Sequence, residues 1–282
     1  MSTRLLCTLG LSLAACSSNG SSTTVDGMIS SALDLSVSMS GDVCSSYPTT
    51  MSQSQQQSHC GLGTDAAALI RSTPYTKLVI EVGATVGATP SSAALAHLKG
   101  VVEDVCDKPG GVTVVMGDTG IPAPGHALTA SDVAAIEDAH RHQFALADTA
   151  VFYYLVVSDP SADDSGNLKV LGEAYRASAM VVFQCSIKSL SGGLGQPSAD
   201  TVESAVVAHE YGHVLGLVNI STPMVTSHQD TAHGAHDSND KCLMYYLNNS
   251  SAGLAGNLLG GGSIADFDPQ CRADLAAVRN AK

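Results

Sequence analysis

The stretch Val206 to Asn219, VVAHEYGHVLGLVN, decides how the rest of the chain is read. Ser198-Ala199-Asp200 supplies a helix cap ahead of it, and Thr201 to Leu215 carries no proline, so a long helix is expected there. At about 3.6 residues per turn, His209 and His213 stand at i and i+4 on one face, with Glu210 beside them. Two imidazoles so placed can share one Zn²⁺, leaving Glu210 to take a proton from a metal-bound water. The flanking Val206, Val207, Ala208, Val214, Leu215 and Leu217 make this a buried helix. Two histidines and an ionised carboxylate are costly to bury there without a metal or partners.

The 282 residues suit one sizeable domain or two, and 44% hydrophobic content is that of an ordinary globular chain. A net charge of −13 makes nucleic acid and anionic membrane surfaces poor partners. The beginning is different. Met1-Ser2-Thr3-Arg4 is followed by an apolar run, Leu5 to Ala15, that is too short for a permanent span and reads as a signal peptide over 1–15. Its ending, Leu13-Ala14-Ala15-Cys16, resembles a bacterial lipobox. That resemblance implies an exported lipoprotein, lipid-anchored to the cell envelope through Cys16, with Ser17 leaning towards the outer membrane. Residues 16–63 then read as a Ser/Gln/Thr-rich tether and polar lead-in, and 64–282 as the working domain. Six cysteines remain beyond Cys7 and Cys16: Cys44, Cys60, Cys106, Cys185, Cys242 and Cys271. An even count in an exported chain favours disulfides, and the absence of CxxC spacing argues against a thiolate zinc cluster.

Between tether and motif the pattern alternates. Thr76–Val82 (TKLVIEV), Gly111–Met116 and Ala150–Ser158 (AVFYYLVVS) read as strands, and Ser91–Cys106 and Ser131–His142 as helices. This order argues for an α/β fold with a mostly parallel twisted sheet covered by helices. Ala174–Gln184 (AYRASAMVVFQ) reads as one further strand, half polar and suited to an edge. Past the motif the chain is irregular and His-rich until a last helix, Pro269–Asn280.

Gly216, three residues after His213, is a natural helix terminator. Here the sequence resembles the metzincin pattern HExxHxxGxxH, except that Asn219 stands where the third histidine belongs, and a carboxamide is a weak zinc ligand. The segment His236-Asp237-Ser238-Asn239-Asp240-Lys241-Cys242-Leu243-Met244 offers a replacement. Its eight-residue step from His236 to Met244 resembles the third ligand and Met-turn of matrix metalloproteases, and archaemetzincins have a similar HCx4CxM run. The resemblance implies a metzincin-like (zincin) fold with an antiparallel edge strand and an active-site helix, in which 220–235 form an inserted loop. It implies metal ligands His209, His213 and His236, Met244 as a hydrophobic floor, and Tyr246 as a residue that assists the transition state. His228, His233 and Asn219 compete for the third position, and the His228/His233 loop could instead hold a second metal ion. His59, His97, His126, His140 and His142 lack a partner pattern and read as structural or solvated.

The activity implied is that of a zinc-dependent endopeptidase with Glu210 as general base and a peptide or protein substrate, which an edge strand could bind by β-pairing. The alternatives are a non-catalytic zinc- or ligand-binding surface lipoprotein on the same scaffold, and a zinc hydrolase of another amide such as peptidoglycan peptide.

Overall fold

Burial of apolar strand runs on both faces organises the architecture of the computed structural model, which describes residues 52–166, 168–194, 196–246 and 263–281. The signal segment, Cys16, most of the tether and Cys44 lie outside the described residues. The elements run α1 (Gln53–Ser58), α2 (Ala66–Ile70), β1 (Lys77–Ala84), α3 (Ser92–Val105), β2 (Val112–Met116), α4 (Ala130–His140) and β3 (Thr149–Val157). After these come β4 (Gly172–Arg176), β5 (Ala179–Phe183), α5 (Gln184–Ser189), α6 (Ala199–Val214) and α7 (Pro269–Asn280).

The strands form one five-stranded sheet in the order β2-β1-β3-β5-β4. All pairs are parallel except β4 with β5. The fold is thus mixed α/β, mostly parallel, with an antiparallel edge strand and a C-terminal helix. Continuous apolar runs fit central parallel strands, which are covered on both faces. In β3, Ala150 to Val157 are all buried. Alternate side chains serve two layers: Phe152 and Tyr154 pack with α3 and α6, whereas Tyr153 and Leu155 pack with Val133 of α4, Ile121 and Leu128. No helix among the described residues is long and apolar enough to cross a membrane.

Three local expectations need correction. Ala174–Gln184 is a hairpin rather than one strand: the chain reverses at Ala177-Ser178, pairing Ala174 with Met180, and Gln184 already opens α5. The turn lacks Gly, Pro and Asn and joins two buried segments, so it has no punctuation. The turn is instead held by tertiary bonds, with Ala177 N–H donating to Cys60 O at 2.9 Å and Tyr153 N–H to Ser178 O at 2.8 Å. The polar lead-in also contains a helix, α1, closed by a reciprocal capping box between Ser52 and Gln55. Finally, α4 starts at Ala130 rather than Ser131, with Thr129 as its cap: the Thr129 hydroxyl accepts from Asp132 N–H, and the Asp132 carboxylate accepts from Thr129 N–H.

Cys60 and Cys185 are disulfide-bonded, whereas the disulfide expectation fails at Cys106, Cys242 and Cys271, which are buried thiols. Cys106 Sγ lies 3.2 Å from the Tyr211 hydroxyl, and burial pushes its pKa up to about 11. Cys242 donates its S–H to Cys271 Sγ across 3.6 Å.

Beneath the hairpin, Glu137 is buried between two guanidinium groups, 2.7 Å from Arg141 and 3.0 Å from Arg176. Removing one partner of such a group leaves uncompensated charge in the interior. Glu137→Ala is expected to cost roughly 3–5 kcal/mol of stability in denaturant unfolding. A loss below about 1 kcal/mol would show that the network contributes little.

Candidate metal centre

The motif sits near the end of α6, in which every residue from Val202 to Val214 is buried. Ser198 caps its start by accepting from Thr201 N–H. At its end, Gly216 takes a positive φ of 72°, and Val218 and Asn219 follow at 50° and 69°. This left-handed run swings the chain out of the helix at once.

His209 and His213 face each other from successive turns, with Nε2 atoms 3.1 Å apart and ring centroids 4.7 Å apart. His236 closes the group, its centroid 5.2 Å from that of His209 and 5.1 Å from that of His213. One ring nitrogen from each converges within 4.8 Å, and all three residues are buried. Backbone carbonyls orient two of the rings: His209 Nδ1 lies 2.7 Å from Leu243 O, and His236 Nδ1 lies 2.6 Å from His233 O. A carbonyl only accepts, so each of these two Nδ1 atoms carries a proton, which leaves Nε2 as the atom that can ligate a metal. Three imidazoles turned to one point fit Zn²⁺ better than Mg²⁺ or Ca²⁺, which demand oxygen ligands.

Glu210 is held by the sheet. Its Oε2 accepts from Ala174 N–H of the edge strand β4 at 2.9 Å. Gly172 makes the approach possible, because a Cβ there would collide with Val206 and the Glu210 side chain. Gly212, inside the motif, plays the same part on the other side: a Cβ there would overlap Met244 Sδ and press on Phe267. Met244, fully buried, packs directly under the motif helix.

The remaining candidates go elsewhere. Asn219 is exposed and donates to Gln229 Oε1 at 3.1 Å, and Gln229 in turn donates to Gly234 O at 2.7 Å. His233 stacks on Tyr246, with centroids 3.6 Å apart. His228 lies between two carboxylates, its Nδ1 2.6 Å from Asp237 and its Nε2 2.8 Å from Asp274. For the second ion expected at the His228/His233 loop, a candidate group among the described residues includes His228 but not His233. His228 belongs to a buried group with Asp237, Asp268 and Cys271, whose donor atoms lie within 4.8 Å. That group is knit internally: Asp237 also accepts from Asn239 N–H, and Asp268 accepts from Gln270 N–H, Cys271 N–H and the Asn239 amide. Of the histidines read as structural, His59 pairs with Asp138 at 2.6 Å and His140 with Asp118 at 2.8 Å.

Sequence reading missed the Ala174 amide, the Leu243 and His233 carbonyls, and Asp274. Backbone groups carry no residue signature. Gly172, two residues before the half-polar edge segment, was the one usable sign.

No protein-family model matches the chain, and no curated protein matches it. Among solved structures, it is similar to archaemetzincin from Methanopyrus kandleri, with 15% identity and a TM-score of 0.48, over 72% of this chain and 96% of that one.

Burial alone would lower the pKa of His228, but hydrogen bonds and charge from Asp237 and Asp274 outweigh it and hold the ring above its usual value of 6.5. A raised folded pKa means that the stabilisation is fully present below 6.5 and is lost as pH rises through the folded value. Unfolding free energy followed from roughly pH 6 to 9 is expected to fall, with a flatter slope in Asp274→Asn. Identical slopes in the two proteins would refute the assignment to His228.

Proposed function

We propose that the chain is a zinc-dependent endopeptidase with His209, His213 and His236 as metal ligands and Glu210 as general base. The observation that carries this reading is the convergence of three buried imidazoles, 23 positions apart in sequence between His213 and His236, at a point beside a buried carboxylate. A bound Zn²⁺ would supply Lewis-acid polarisation of a carbonyl and a water that ionises near neutral pH.

The chain's own groups then have definite tasks. Glu210, fixed by Ala174 N–H, takes the proton of the attacking water and returns it to the leaving amine as the C–N bond breaks. β4 is the sheet edge and reaches Glu210 through that amide, so an extended peptide paired along β4 lies across the centre. The Tyr246 phenol, at the wall of the site with its ring 6.5 Å from that of His236, is suited to donate to the oxyanion that develops on the scissile carbonyl.

Casein or a peptide library should be cleaved by the zinc-loaded protein, and a chelator should stop cleavage until zinc is restored. Glu210→Gln should keep its zinc and lose roughly 10²–10⁴-fold in kcat. Full activity in that variant would sink the mechanism. Tight zinc binding without cleavage in the wild type would favour a non-catalytic zinc-binding protein.

A further inference from the structure

We propose that His233 is a positioning residue of this centre: its carbonyl sets the plane of His236 while its ring is the seat on which Tyr246 rests. The proposal builds on the reading of His209, His213 and His236 as a metal-binding group.

The segment from Asp230 to His236 is a tight loop closed on itself. Asp230 N–H donates to His236 O at 2.7 Å, and His233 N–H donates to Asp230 O at 3.0 Å. These two bonds bring the His233 carbonyl to 2.6 Å from His236 Nδ1. The same residue sends its side chain the other way. Its Nδ1 lies 2.6 Å from Asp230 Oδ2, which anchors one edge of the imidazole.

Anchored in this way, the imidazole lies face to face with the Tyr246 ring at 3.6 Å and 2°. Tyr245 meets Tyr246 at 4.7 Å with a 59° tilt. A phenol has few torsions, and one flat partner at stacking distance selects one rotamer. His233 therefore joins two groups that sequence reading treated separately: the third imidazole and the tyrosine after the methionine. Because the first link is backbone and the second is side chain, substitution can separate them.

The test uses His233→Ala, His233→Phe and Tyr246→Phe in the full chain, with three readouts. Zinc affinity of His233→Ala should stay within about threefold of wild type, since the carbonyl is retained. In the zinc-free protein labelled at tyrosine, the Tyr246 ring resonances, identified by their loss in Tyr246→Phe, should move in His233→Ala and much less in His233→Phe. For peptide cleavage, His233→Ala should lower kcat about fivefold to tenfold at nearly constant KM, and His233→Phe should restore most of it. In the Tyr246→Phe background, His233→Ala should add little further loss. Unmoved Tyr246 resonances, a zinc affinity weakened more than about tenfold, or additive losses would each overturn the proposal. Absence of cleavage in the wild type would defeat the peptidase reading alone, because the resonance and zinc measurements still decide the role of His233.

Discussion

Everything around the centre answers one constraint: a helix buried along its whole working length carries two imidazoles and a carboxylate. Such groups are tolerated only when each finds a partner. The partners come from three directions. The Leu243 carbonyl arrives from the segment before Met244, the Ala174 amide from the sheet edge, and His236 from the loop beyond Gly216. The hairpin, the Met244 turn and the loop beyond Gly216 thus share one task, and the two glycines at 172 and 212 permit the contacts.

Most of the scaffold was legible because its signals are local. β1, β2 and β3 are apolar runs of strand length, and α3, α6 and α7 begin at Ser91, Ser198 and Asp268, whose side chains cap them. The hairpin at Ala177-Ser178 was not legible. Its turn is imposed by bonds to Cys60 and Tyr153, which lie more than a hundred and about twenty-five positions away respectively. The short α1 hid in a polar run for a related reason: composition outweighed the Ser52–Gln55 box in the reading. Cys106 shows the limit of counting cysteines, since it faces a tyrosine and not another cysteine.

In the centre itself, helical spacing was enough to bring His209 and His213 together. The eight-residue step to Met244 singled out His236 from its neighbours, and the structure groups that residue with the motif pair. What the step could not reveal is why His228 is elsewhere. Its second carboxylate, Asp274, comes from α7, 46 positions later, and no short-range pattern links the two. Asn219 likewise belongs to an amide chain through Gln229 to Gly234, which steadies the loop that carries His236.

Positions 214–235 separate His213 from His236. An ion bound by both would be a cross-link closing a ring of that size, in addition to any chemistry it performs. Closing such a ring restricts the chain, and whatever binds only the closed form stabilises it. Metal occupancy and the order of the loop between the two ligands are then two faces of one equilibrium: a molecule without its ion would present a loosened stretch to proteolysis before its core is touched.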